Sequence, residues 1–224
     1  MLIVFFTASL SPDFNNQGHW ELSAYPVTYA QERISDYGTL AELIRASTVA
    51  LRGWSFPHTD RETASNFARG RQSYTVWERY VEGYRAYFSG LFRWKSAYRE
   101  NTLVPDQKVL SFISAIFQLT EFFQFFKRYY SRVPDTSGVH VAIKLTDVRD
   151  RTLVSMDPTV ELWGGYTSRE PVIVLGLDLT MAELQTDGEA IARRLAKRVF
   201  GIFNWDDVQD NTISFWQQKL LTRT

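Results

Sequence analysis

The sequence predicts an α+β fold: an antiparallel sheet from N- and C-terminal strands, with an inserted helical block and C-terminal helices. Three observations carry this. Segments of β pattern lie near both ends of the chain, around Trp20 to Ala24 and again from Val139 to Leu179. Between them, apolar residues recur at steps of three and four, the period of a helix. After the last β segment, Ile191, Leu195 and Val199 repeat at helical spacing. No repeat, low-complexity tract or Gly/Ser linker divides the chain. It reads as one domain: residues 1–30 β, 31–133 a helical insertion, 134–224 a β-meander plus helices.

Taken in order, Leu2 to Ser9 is rich in Val, Ile and Phe. Ser11-Pro12-Asp13 and Asn15-Asn16-Gln17-Gly18 then supply turn chemistry. Trp20, Leu22 and Ala24 alternate with His19, Glu21 and Ser23, so a hairpin of two strands is expected. Leu40, Leu43, Ile44 and Val49 predict a helix over Thr39 to Leu51. Trp77, Val81, Tyr84, Phe88 and Leu91, continued by Tyr98, predict a long helix weakened by Gly83 and Gly90. Asp106 suits the N-cap of the next helix, about Gln107 to Ser131, whose Phe and Ile residues fall nearly all round the cylinder. Val139, Val141, Ile143 and Leu145 alternate with polar or small residues as a strand does. Thr152 to Ser155, Thr159 to Trp163 and Pro171 to Leu179 are read as further strands of a meander. Helices follow over Asp187 to Phe200, ending at Gly201, and around Val208 to Leu220.

Composition removes several functions. With 25 Lys+Arg against 25 Asp+Glu the chain has no net charge, hence no global field that draws in nucleic acid or a membrane. It has no cysteine, so no disulfide, thiol nucleophile or cysteine-held metal, which fits a reducing cytoplasm. Met1 to Leu10 is short and lacks a basic lead, so no signal peptide is expected. The apolar run Val109 to Tyr130 carries Gln118, Glu121, Gln124 and Lys127, which a membrane span avoids. Gly-x-Ser-x-Gly, Gly-x-x-x-x-Gly-Lys and Gly-x-Gly-x-x-Gly are all missing. A nuclease pattern near Asp157 to Glu161 fails because Trp163 stands where lysine belongs.

Candidate sites remain. The run Leu51-Arg52-Gly53-Trp54-Ser55-Phe56-Pro57-His58-Thr59-Asp60-Arg61 puts two aromatics, a cation and an imidazole on an irregular loop, because Pro57 bars helix before it. Arg52, Trp54, Phe56 and His58 are therefore candidates for a ligand or partner site, against the alternative of a plug packed on the helices. His58, Asp60 and Glu62 alternate in a way that suits a divalent ion, but one His with two carboxylates arises easily by chance, and no metal is assigned. Trp77 and Tyr84 sit in aromatic stripes broader than one helix face needs; they read equally as partner contacts or as core. Arg193, Arg194, Lys197 and Arg198 lie on one side of a helix and suit phosphate contacts, with Lys219 and Arg223 nearby; the alternative is a solvated face paired with acids. Arg69 and Arg71 form a smaller cluster.

Two motifs carry a resemblance. The Leu-Arg-Gly-Trp-x-aromatic-Pro-His run and the pattern Tyr87-Phe88-Ser89-Gly90-Leu91-Phe92 resemble uncharacterised prokaryotic proteins, some associated with DNA-binding modules of the AlbA/Schlafen type or with defence loci. The resemblance spans only Leu51 to Phe92. It implies an accessory or sensing region and carries over no catalytic residue. The expectation is a non-catalytic binding or assembly subunit of a prokaryotic multi-protein system, in anti-phage or anti-plasmid defence. It would be cytoplasmic, use no cofactor, touch no membrane, and contact a partner protein and secondarily nucleic acid. The alternative is an enzyme with a pocket around Arg52, His58 and Asp60, metal-dependent or not.

Overall fold

A computed structural model describes residues 18–59, 62–78 and 80–222. The strand expected at Leu2 to Ser9 and the turns up to Gln17 lie outside the described residues. The described chain is α+β. Its elements run β1 (His19–Pro26), α1 (Tyr37–Ser47), β2 (Ser65–Phe67), β3 (Gly70–Trp77), β4 (Tyr80–Tyr87), β5 (Phe92–Ala97), α2 (Glu100–Leu103), β6 (Val109–Ser111), α3 (Phe112–Tyr130), β7 (Gly138–Thr146), β8 (Thr152–Val154), β9 (Val172–Thr180), α4 (Met181–Ile202) and α5 (Asp210–Leu221). Seven strands pair antiparallel in the order β2-β3-β4-β5-β1-β7-β9, and β6 and β8 form a small parallel pair apart from them.

Alternation decides which face each strand buries. Register places Trp20, Leu22 and Ala24 beside Ser96, Trp94 and Phe92 on one side, and beside Leu145, Ile143 and Val141 on the other. These residues are buried and form the inner face. Across it runs α3, started by the Ser111 hydroxyl, which accepts from the Ser114 amide, and buried on nearly every side as its sequence predicts. Trp94 meets Phe122 at 5.0 Å, and Phe92 meets Phe125 at 4.7 Å. The far side of α3 is covered by α4, which a Thr180–Glu183 capping box begins, and by α5.

The long helix expected from Trp77 to Tyr98 is instead the meander of β3, β4 and β5. Two turns account for the difference. Glu78 adopts φ 53°, and Gly90 adopts φ 86°, a left-handed conformation that glycine enters without steric cost. The Ser89-Gly90 turn is closed by Gly90 N–H donating to Tyr87 C=O (2.9 Å) and Tyr87 N–H donating to Leu91 C=O (2.9 Å). Among the described residues, the 31–133 block thus contributes three helices and also five of the nine strands. Smaller corrections follow. Helix α3 begins five residues later than expected, because Val109–Ser111 pairs with β8 and Ser111, not Asp106, caps it. Residues 159–163 form no strand; the Asp157 carboxylate instead accepts from the Thr159 amide and hydroxyl in a turn. Of the expected C-terminal meander, only β7 and β9 pair directly. Helix α4 runs past Gly201 to Ile202.

Candidate functional site

The loop after α1 is packed down rather than open. Gly53, at φ 88°, turns the chain so that Arg52 folds back over α3. Its guanidinium donates to Gln118 Oε1 at 2.9 Å and pairs with the Glu121 carboxylate. The Glu121 side chain is 0% exposed, and burial pushes its carboxyl up despite the opposing pull of Arg52. Burial would pull Arg52 down, but Glu121 beside it leaves the guanidinium raised on balance. Phe56 inserts into the aromatic core, 5.4 Å from Trp94 and 5.3 Å from Phe122. The Trp54 ring is half exposed, with the guanidinium groups of Arg52 and Arg99 at 5.0 and 5.2 Å from its centre. His58 contributes its backbone N–H to Glu82 Oε1 (3.1 Å), which Trp94 Nε1 also reaches (2.9 Å), while the Tyr80 hydroxyl donates to Glu82 Oε2 (2.8 Å).

These bonds join loop, sheet and helix into one buried polar cluster. Three of its atoms, Arg52 Nε, Gln118 Nε2 and Glu121 Oε1, are buried without a partner. Asp60 lies outside the described residues. Among the described residues no group of three or more His, Asp and Glu side chains converges as a metal shell. His19 and His140 do not meet: His19 bonds Glu21 and Thr146, whereas His140 opposes Tyr25 at the other end of β1.

The other sequence candidates separate. Tyr84 is a core ring, stacked on Phe92 at 5.9 Å, and so is withdrawn from any partner surface. Trp77 is 71% exposed at the end of β3, beside Val76 (50%) and Tyr74 (40%). On α4, Arg193 donates to Gln217 and Lys197 pairs with Asp210 at 2.7 Å, so α5 engages half the predicted phosphate patch. Arg194 and Arg198 are exposed. Lys219 lies over the Trp216 ring at 4.4 Å, and Arg223 is outside the described residues. The Arg71 guanidinium donates to Asn66 Oδ1 (2.9 Å), and Arg69 is exposed.

The outer face of the sheet carries charged side chains outside all of the candidates above. Register sets Arg85 opposite Arg93, Arg93 opposite Ser23, and Ser23 opposite Ala142. One step along, Lys95, Glu21 and Lys144 stand in a row, with Lys95 and Lys144 ammonium groups 3.2 and 3.3 Å from Glu21 Oε1. Burial pushes Glu21 up, but the His19 bond and the two lysines outweigh it and hold the carboxyl at about 2. On the opposite side, the His140 ring packs on Tyr25 at 4.9 Å and its Nδ1 pairs with Asp178 at 2.6 Å. The signal was present in the sequence: Arg93 and Lys95 alternate with Phe92, Trp94 and Ser96.

Fold and site define an α+β protein with one sheet face sealed by helices and the other carrying a charged centre flanked by exposed Tyr74, Val76, Val172 and Val174. No family model, no curated protein and no solved structure matches this chain. Among the described residues, no helix is long and apolar enough to cross a membrane.

Proposed function

We infer that the chain is a non-catalytic binding or assembly module that docks a protein partner on the β3–β4 hairpin. The observation that supports this is the run of exposed apolar side chains on β3, Tyr74, Val76 and Trp77. Exposed apolar residues scattered singly, such as Trp163, are ordinary on a protein surface; here Tyr74 and Val76 share the outer face of β3 and Trp77 projects from the other side at the hairpin end, so the tip is apolar on both sides. Tryptophan and tyrosine are also the residues on which binding energy concentrates. The enzyme reading around Arg52, His58 and Asp60 has less support, because Arg52 already holds Gln118 and Glu121 and is not free to grip a substrate. A cytoplasmic subunit of a prokaryotic defence system is the setting proposed for the module. It rests on the cysteine-free composition and on the two motifs within residues 51–92.

The test is a size-exclusion mass measurement of the protein with the products of adjacent genes, repeated with Trp77→Ser. A complex that the wild type forms and Trp77→Ser loses, at unchanged melting temperature, is expected. A wild type that stays alone with every neighbour, or a complex indifferent to Trp77, refutes the proposal.

A further inference from the structure

We propose that the outer face of the sheet holds a binding site for a phosphate group, centred on Arg93 and Ser23. An unfavourable pairing lies at its centre. Arg85 and Arg93 are register partners on β4 and β5, and like charges directly opposite one another destabilise a sheet. Arg85 is partly relieved: its Nε donates to Gln72 Oε1 at 2.9 Å and its guanidinium lies 5.6 Å from the centre of the Phe67 ring. Arg93 has no such relief; among the described residues it makes no hydrogen bond and no ion pair. Its other cross-strand neighbour, Ser23, has a hydroxyl that is likewise without a partner. An unpaired guanidinium and an unpaired hydroxyl side by side offer a planar fork and a donor, the groups that hold a tetrahedral oxyanion. Lys95, two residues along on the same face, adds a point charge.

The surroundings shape the approach to this pair. From Ser23 the same cross-strand row continues through Ala142 to Gly176, so its floor is made of small residues. On one side stands the row Lys95, Glu21 and Lys144; on the other stand Tyr25, His140 and Asp178. Backbone spacing sets the two rows about 13 Å apart, but their side chains close over the middle, where Ala142 is 5% exposed, so an anion meets this face at its Arg93–Ser23 end. A cleft of only about 10 Å³, bordered by Glu21, Ser23, Arg93, Lys95 and Ala142, lies at that end, so a phosphate rests on Arg93 and Ser23 at the surface and not within a cavity. Four cations face two carboxylates over this surface, and Glu21, the nearer carboxylate, is already bound by both lysines.

Phosphate chemistry has two sources here, a nucleic-acid backbone or a small phosphorylated molecule, and two probes separate them. The first is a fluorescein-labelled oligothymidylate of about 20 nucleotides, followed by anisotropy at several salt concentrations. The second is tripolyphosphate, followed by the shift in melting temperature. Wild type, Arg93→Gln, Ser23→Ala and, as a cation elsewhere, Arg198→Gln are compared. If the backbone is the ligand, Arg93→Gln weakens oligonucleotide binding about tenfold and lowers the salt slope by about one, Ser23→Ala weakens it less, and Arg198→Gln leaves it unchanged. If a small phosphorylated molecule is the ligand, only tripolyphosphate binds, and it raises the melting temperature of wild type but not of Arg93→Gln. The proposal is overturned if neither probe binds at low salt. It is equally overturned if binding survives both Arg93→Gln and Ser23→Ala, or is lost with Arg198→Gln instead. These outcomes are independent of whether Trp77 docks a partner.

Discussion

Replacing Arg52 by Met should be among the most damaging substitutions in the chain, and replacing its partner as well should undo most of the damage. Arg52 is the counter-ion of Glu121, whose side chain is fully buried beneath the loop. Removing one member of a buried ion pair costs about 3–5 kcal/mol, because the other is left as an uncompensated charge. Losing the stack on Trp54 adds roughly 0.5–1 kcal/mol. In the double variant Arg52→Met/Glu121→Met both charges are gone and apolar volume fills the space. Such replacements fall between neutral and about 1–4 kcal/mol more stable. The coupling between the two sites should therefore be at least about 3 kcal/mol, read from urea midpoints at constant slope. The pH dependence has a definite sign. In Arg52→Met the Glu121 carboxyl keeps the upward push of burial and loses its cation, so the folded state holds a proton that the unfolded chain, with its ordinary carboxyl, releases. Stability of that variant then falls as pH rises from the ordinary carboxylate value toward the raised one, and its deficit shrinks at about pH 5. A single variant within about 1 kcal/mol of wild type, or a double variant as unstable as the two singles added, would falsify the view of this loop as a plug locked by the pair.

The remaining predictions concern the two faces of the sheet. Glu21→Gln should lower stability at neutral pH by about 2 kcal/mol, a value discounted from the full shift because both lysines remain partly exposed. Its folded carboxyl sits at about 2 against an ordinary 4.5, so its contribution is complete above 4.5 and disappears as pH falls through 2. Acid titration of wild type should be steeper there than that of Glu21→Gln, and equal slopes would count against the lysine cage. The same substitution releases Lys95 from Glu21 and should tighten tripolyphosphate binding, measured by calorimetry. Phe56→Ala should cost about 3–5 kcal/mol in urea unfolding, since the ring fills a cage of Trp94, Phe122 and Phe125. Trp77→Ala should shift stability by no more than about 0.5 kcal/mol, because most of the ring already faces water.

Strands β1, β7 and β9 and helices α3 and α4 were legible because each keeps one period over its whole length. Residues 77–98 were not, for a specific reason. Within β4 the inward residues Tyr80, Glu82, Tyr84 and Ala86 keep a period of two, and so do Phe92, Trp94 and Ser96 in β5. The turns at Glu78 and Ser89-Gly90 reset the phase between strands. Joining Trp77, Val81, Tyr84, Phe88 and Leu91 across those resets yields steps of four and three that belong to no single element. That misreading also hid the site. On a helix, residues two apart point about 200° from each other, so Arg93 and Lys95 would face opposite ways; on a strand they share a face. The Arg52 loop was legible as irregular and aromatic. Its ion pair was not, because Glu121 lies 69 residues further on and no local rule links the two.

The neutral total charge conceals a segregation that the fold creates. Glu82, Glu100 and Glu121 are all turned inward and buried, where Trp94, Ser111 and Arg52 donate to them. Arg85, Arg93, Lys95 and Lys144 are turned outward on the opposite face of the same sheet. An anion approaching that face meets cations whose balancing carboxylates are partly on the far side of the sheet. Attraction should then be local and short-ranged, because beyond a Debye length of about 8 Å the whole molecule looks uncharged. A strongly basic protein releases many counterions and shows a steep salt dependence. Here Glu21 already occupies Lys95 and Lys144, which leaves Arg85 and Arg93 as the main groups able to displace counterions. Binding of the single-stranded oligonucleotide should therefore show a shallow slope of about 1.4 in log affinity against log salt, rising by up to about 0.7 when Glu21→Gln releases Lys95.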